Sequence, residues 1–202
     1  MTGPLSERTG GFVAHEHLRD SQKEMILDGI QVLSDDGFLL AAAPTGIGKT
    51  AAALASVLEI SRNSSERLQI MFLTGRQSQH RIVIETIRLI NSRLSEGVSH
   101  VKVVDIIGRE SMCEYVDRVT GKCNCEEDVI EGSRVERREE LREMILTYPT
   151  HVDDVISRSR QRKMCAWASA RSAVKSCDLI VCDYNHVFVE NVRTNSLAPM
   201  GI

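Results

Sequence analysis

The chain has 202 residues, 42% of them hydrophobic and 26% charged, which is enough apolar material for a sizeable core and excludes a chain disordered throughout. A net charge of −3 and a pI near 6.1 exclude a global pull on nucleic acid, so any such contact must come from local basic patches. No apolar run is long enough to span a bilayer, and Met1–Gly11 lacks the basic and apolar regions of a signal peptide.

From these features the chain is expected to sit in the cytoplasm, where its six cysteines would stay reduced and be candidates for metal ligation rather than for a disulfide framework. Leu18, Met25, Ile26, Ile30 and Leu33 recur at helical spacing and predict a helix that ends in the turn Ser34-Asp35-Asp36-Gly37. The apolar run Phe38-Leu39-Leu40-Ala41-Ala42 follows and reads as a buried strand. After it come Ala43-Pro44-Thr45-Gly46-Ile47-Gly48-Lys49-Thr50 and the Ala-rich helix former Ala51–Leu58. Strand, glycine loop and helix in this order are the setting of a phosphate-binding loop.

The chemistry explains the residue types. Gly46 and Gly48 let the backbone close around an anion, while the helix opens near Lys49 with free N–H groups and the positive end of its dipole. Lys49 is expected to reach the β- and γ-phosphates of ATP, and Thr50 to set its hydroxyl on Mg2+. Ala43 stands where the usual loop has its first glycine. The competing reading is a glycine turn that only joins two packed elements.

Asn63-Ser64-Ser65 breaks the loop helix, and Leu68–Thr74 predicts a second buried strand. A long helix is expected from Gln77 to Leu94, with Ile82, Ile84, Ile87, Leu89, Ile90 and Leu94 supplying its apolar face. Val101–Ile107, rich in β-branched residues, predicts a third strand. From about 108 to 164 strands disappear, charge is dense between Glu126 and Arg142, and cysteines gather at both ends, the pattern of an insertion. Within it Arg134–Arg142 mixes both signs and reads as a helix with i,i+4 pairs. Trp167–Lys175 is helix-like, Leu179–Tyr184 restores a buried strand, and Thr194–Ile202 is a polar tail. Alternating strands and helices with short loops predict a parallel α/β sheet.

In this order the segments resemble the first motor domain of the XPD/DinG-type superfamily 2 DNA helicases, in particular the archaeal XPD-like branch. Leu18-Arg19-Asp20-Ser21-Gln22 is similar to the segment ahead of the phosphate loop, and Ala43–Thr50 to the A-P-T-G-x-G-K-T loop itself. Leu73-Thr74-Gly75-Arg76-Gln77-Ser78-Gln79-His80 resembles motif Ia. Gly108-Arg109-Glu110-Ser111-Met112-Cys113 resembles the opening of the cluster domain, Cys165-Ala166-Trp167 its close, and Cys177–His186 the strand returning to the motor. The resemblance implies a RecA-like P-loop parallel sheet flanked by helices, with a small, mainly helical iron–sulfur insertion. It divides the chain into 1–107, the first part of the motor; 108–168, the cluster insertion; and 169–202, a return to the motor that stops before the family's D-E-A-H strand.

The same resemblance implies the site residues. Arg19 and Gln22 would serve the nucleotide together with Ala43, Pro44, Thr45, Gly46, Ile47, Gly48, Lys49 and Thr50, and the last two would carry catalysis. Cys113 and Cys165 would be the first and last ligands of a [4Fe–4S] cluster, with Cys123 and Cys125 between them. The Cys123-Asn124-Cys125 spacing departs from the family's C-x-x-C, and zinc is the competing metal for four thiolates. Cys177 and Cys182 read as small buried hydrophobes. Arg76, Gln79 and His80 would meet DNA phosphates, and the basic run Arg158, Arg160, Arg162 and Lys163 before Cys165 would grip phosphate as well, unless both are solvated surface. Asp183 ends a strand but does not match the family's magnesium-binding acid.

The function implied is ATP-driven 5′→3′ translocation on single-stranded DNA, with DNA forks as substrate, repair as context and partner proteins left open. Phosphoryl transfer also needs a magnesium-binding acid, a water-positioning glutamate and an arginine from a second domain; the chain is expected to be an N-terminal portion that hydrolyses ATP negligibly alone. Two rivals stand beside this reading: a small-molecule kinase, which shares the loop but needs no cysteine insertion, and a non-catalytic, metal-stabilised DNA- or partner-binding module with a relic loop.

Overall fold

A computed structural model describes residues 11–113, 115–117, 119–120, 131–162 and 164–198. The chain divides into two compact units, one built from Met1–Ile70 and Glu85–Val101, the other from Met71–Ile84 and Lys102–Ile202.

In the first unit, α1 (Asp20–Ser34) and α2 (Lys49–Asn63) pack along their lengths. Asp20 in the first turn of α1 faces the positive end of the helix dipole. Gln22, Ile26 and Gly29, spaced at three and four residues, form its buried stripe. The matching stripe of α2 is mostly small, with Ala52 and Ala55 against Ile26, so the two backbones approach closely. A Cβ added at Gly29 would lie 2.6 Å from Ser56 Oγ and 2.9 Å from its Cβ. Ser56 Oγ lies 3.2 Å from the Ile26 carbonyl oxygen and 3.0 Å from that of Ala52, joining the helices at this crossing. After α1 the chain turns through Asp36, at φ 54°, and the Gly37 N–H donates to the Val32 carbonyl at 2.9 Å.

The run Phe38–Ala42 departs from expectation: it has no strand assignment, and Phe38 and Leu40 are 92% and 97% exposed. Apolar, β-prone residues make a strand only when a neighbouring strand takes up their backbone hydrogen bonds. Among the described residues no strand does so.

The second unit holds, but for Ile70, a three-stranded sheet of β1 (Ile70–Leu73), β2 (Val103–Ile106) and β3 (Leu179–Cys182), in the order β1-β3-β2. The last strand in sequence therefore lies between the other two. β2 and β3 run parallel, with Val103 opposite Leu179 and Ile106 opposite Cys182, and both are fully buried. The long helix α3 (Gln77–Arg93) gives its first two turns to this unit and the rest to the first.

Helices α4 (Arg109–Met112), α5 (Glu131–Thr147), α6 (Val152–Gln161) and α7 (Ala166–Val174) follow β2. The described part of the charged stretch thus becomes helix, and α6 adds an element that the sequence pattern had not marked. Leu141, Ile145, Val155 and Trp167 share one apolar core with Val104 and Ile180 of the sheet. The described part of the cysteine-flanked segment therefore packs directly on the α/β sheet. After β3 come two short helices, α8 (Asn185–Phe188) and α9 (Glu190–Asn195), the second of which takes in Thr194 and Asn195 at the start of what read as a polar tail. Among the described residues no helix is long and apolar enough to cross a membrane.

Candidate functional site

The glycine loop of the first unit is built by its backbone. Gly46 and Gly48 have φ of 85° and 87°, in the left-handed region that costs other L-residues about 1–2 kcal/mol. Gly48 is also the N-cap of α2, with no side chain capping it, so the first-turn N–H groups are presented to an anion. Arg19 Nη1 donates to the Gly46 carbonyl and Gln22 Nε2 to the Gly48 carbonyl at 3.4 Å. The two residues expected to serve the nucleotide thus hold the carbonyl side of its loop, which leaves the amide side to face a ligand. Lys49 Nζ donates to the carbonyls of Ala43 and Pro44 at 3.0 and 2.8 Å, curled over the loop. Thr45 is exposed, while Ile47 and Thr50 are half-buried. A cationic loop with two left-handed glycines and an uncapped helix start is chemically suited to a polyphosphate.

In the second unit, the turn from β1 to α3 forms one wall of a cleft of about 490 Å3, lined by Thr74, Gly75, Arg76, Gln79 and Tyr184 above Phe72 and Leu73. The Thr74 N–H donates to the Cys182 carbonyl of β3 at 3.0 Å, and the Arg76 N–H to Thr74 Oγ1 at 3.3 Å. Arg76 is exposed and Gln79 half-buried, both at the cleft. His80 is not at the surface: it is 1% exposed, and its Nδ1 lies 2.5 Å from Asp105 Oδ1. Its expected role in meeting DNA gives way to a structural one, because a ring on the inner face of the first helical turn cannot reach solvent.

Asp105 is the fully buried carboxylate of β2. Its Oδ2 accepts the Val152 N–H at 2.8 Å, at the start of α6, so one carboxylate ties the cleft's helix to the helix carrying the basic run. Beside it His151 caps α6, with Nδ1 accepting the Asp153 N–H at 3.2 Å. Arg81 lies 3.3 Å from that ring and 3.2 Å from the Asp153 carboxylate. His186, buried at the start of α8, lies 2.9 Å from Ser196 Oγ. Burial holds its pKa below the ordinary 6.5; the negative charge of Asp183 offsets part of that shift and nearby His80 adds to it. Hydropathy alone gave no signal for this node, although an acid inside the apolar strand Val103–Ile106 was its visible mark.

Arg158 and Arg160 lie in the last turn of α6 and Arg162 at its C-cap, all three exposed. Lys163 lies outside the described residues, as do Cys123 and Cys125. Cys113 is the buried C-cap of α4 and Cys165 the half-buried N-cap of α7, its Sγ accepting the Ala168 N–H at 3.4 Å. Two guanidinium groups lie over the Trp167 ring, that of Arg171 at 4.4 Å and that of Arg109 at 5.5 Å from its centroid. This stack joins α4 to α7, and so links the helices that carry the first and last of the expected cysteine ligands. Among the described residues no three His, Cys, Asp or Glu side chains form a group that could hold a metal. Cys182 is buried in β3, and burial with the nearby charges of Asp183 and Asp105 pushes its thiol up to about 12. Cys177 donates its S–H to the Val174 carbonyl at 3.2 Å. Both are packing residues.

A family model described as DEAD_2 matches residues 59–199. A solved chain titled XPD_Helicase aligns at a TM-score of 0.56 and 20% sequence identity, over 89% of this chain and 30% of that one. The likeness is one of fold, and this chain spans under a third of that chain's length.

Proposed function

The chain belongs to the DEAD_2 family, that of XPD/DinG-type helicase domains, and from that premise we propose that it supplies the nucleotide loop and a nucleic-acid contact of an ATP-dependent DNA helicase. The observation that carries this reading is the loop: left-handed Gly46 and Gly48, their carbonyls held by Arg19 and Gln22, and Lys49 poised over them. ATP binding would draw Lys49 from the Ala43 and Pro44 carbonyls to the phosphates, and Thr50 would contribute its hydroxyl to Mg2+.

Arg76 and Gln79 would meet the backbone of single-stranded DNA at the cleft, with Arg158, Arg160, Arg162 and Lys163 as a second basic contact. Translocation 5′→3′ and action at repair forks belong to the same proposal. Cys113, Cys123, Cys125 and Cys165 would hold the iron–sulfur cluster. The two described thiols suit it, since each sits at the end of a helix locked by Trp167 and Cys165 already accepts an N–H bond. Held by these thiolates, such a cluster would supply a rigid core to the segment.

The test is equilibrium binding of a fluorescent ATP analogue with Mg2+ to the chain and to Lys49→Ala, followed by a single-turnover hydrolysis assay. We expect weak binding, a loss of at least about tenfold in the variant, equivalent to about 1.4 kcal/mol, and negligible hydrolysis by the chain alone. Equal binding by both proteins would mark the loop as a relic and favour a non-catalytic binding module. Robust hydrolysis would overturn the dependence on further catalytic groups.

A further inference from the structure

We propose that Tyr184 is a stacking platform for one base of a single-stranded nucleic acid whose phosphates lie on Arg76. The proposal rests on reading the β1–α3 turn as a nucleic-acid contact and adds to it a base-binding subsite.

Tyr184 directly follows a strand whose four residues are all buried, yet 49% of its own surface is exposed. Its ring lies on Gly75: a Cβ there would meet Tyr184 Cε1 at 2.7 Å and Oη at 3.0 Å. The absent side chain at position 75 is therefore what lets the ring lie against the turn. The ring also lines the cleft formed with Thr74, Arg76 and Gln79. About 490 Å3 falls within the roughly 300–1,000 Å3 of small-ligand sites. One cleft thus joins an aromatic surface for a base, a guanidinium for a phosphate, and an amide and a hydroxyl for base edges or sugar. That pairing of stacking surface and positive charge is how single strands are held without sequence preference.

The platform is fixed in place. Asp183 Oδ1 accepts the Asn185 N–H at 2.8 Å, and the Tyr184 carbonyl accepts the Val187 and Phe188 N–H groups at 3.0 Å each. On the other wall the Thr74 N–H is bonded to the Cys182 carbonyl. Both walls therefore hang from the end of β3, and the ring's position relative to Arg76 is set by the sheet rather than by a loose loop. Ordering such a ring on binding costs little entropy, so most of the stacking energy is retained.

The discriminating experiment is a low-salt anisotropy titration of the full chain with two labelled probes of equal length, an oligothymidylate and an abasic oligomer that keeps the phosphates. Tyr184→Ala is expected to weaken oligothymidylate binding by about tenfold, within the range of stacking on one base, and to leave the abasic probe unchanged. Tyr184→Leu, which keeps Gly75 covered but has no π-face, should show the same selective loss; Tyr184→Phe should bind as the unmodified chain does. Arg76→Ala should weaken both probes alike. Wild-type affinity of Tyr184→Leu for oligothymidylate would overturn the platform, and the phosphate contact would stand if Arg76→Ala still lost both probes. Failure of the unmodified chain to bind either probe would overturn the nucleic-acid reading and the platform with it.

Discussion

At the residue scale, the nucleotide loop and the buried carboxylate of β2 are the positions where a single change has a calculable effect. Gly46 and Gly48 share a left-handed φ but differ in surroundings: nothing lies within 4 Å of a Cβ added at Gly46, whereas one at Gly48 would lie 2.6 Å from Gln22 Nε2. Gly46→Ala should therefore cost the backbone term alone, about 1–2 kcal/mol. Gly48→Ala should cost more, because Gln22 must move and give up its bond to the Gly48 carbonyl. Gly108, at φ −55° with open space around it, is the control, expected within about 0.5 kcal/mol of wild type. Urea unfolding of the three variants checks this order, and equal costs at 46 and 48 would contradict it. Asp105 has the larger effect. Replacing it by Ala strands the His80 ring nitrogen and the Val152 N–H inside the protein, and the expected cost is about 3–5 kcal/mol. Asp105→Asn, which keeps the shape, should cost less. A loss under about 1 kcal/mol for Asp105→Ala, read by Trp167 fluorescence in urea, would mean that the node is not a tie.

At the element scale, close packing reverses the usual propensity argument. Exchanging Gly for Ala inside a helix normally gains about 0.5–1 kcal/mol, and Gly29 lies inside α1. Here the new methyl would lie 2.6–2.9 Å from Ser56, an overlap of the kind that costs about 1–3 kcal/mol. The overlap outweighs the propensity, and Gly29→Ala should destabilise. In Gly29→Ala/Ser56→Gly the obstruction is gone, so a double-mutant cycle should show a coupling of about 1 kcal/mol or more; additive effects would place the helices further apart than described. The sequence made most elements legible because their signals are local: helical spacing marked α1 and α3, and β-branched runs marked β2 and β3. Phe38–Ala42 carried the same strand signal without forming one, since composition reports burial appetite but cannot report whether a neighbouring strand is there to bond. α6 went unmarked because its stretch, Val152–Gln161, is so polar that only its cap and the core contacts of Val152 and Val155 show it to be a helix.

At the scale of the whole molecule, motif order identified the family and singled out the glycine loop, but not which way side chains point. His80 and Gln79 are adjacent in sequence and alike in polarity, yet one is buried on Asp105 and the other lines the cleft. Tyr184 passed as part of a returning strand, because the open position at Gly75 that receives its ring exists only once β1 and β3 are neighbours. The buried histidines have a consequence for the stability of the second unit as a whole. The pKa of His186 lies below 6.5 in the folded chain, chiefly because burial disfavours the charged ring. The unfolded chain therefore binds more protons in the window between the folded value and 6.5, and stability falls as pH drops through that window while staying level above it. The slope from this one group is at most about 1.4 kcal/mol per pH unit. His186→Gln keeps a partner for Ser196 Oγ but cannot take up the proton. Trp167, the chain's one tryptophan, lies in the same unit and reports its unfolding. Urea transitions followed at about pH 7.5 and about pH 5.5 should show wild type losing more stability than His186→Gln over the same interval. Parallel losses would mean that His186 titrates as an ordinary histidine, and that the acid sensitivity of the unit lies elsewhere.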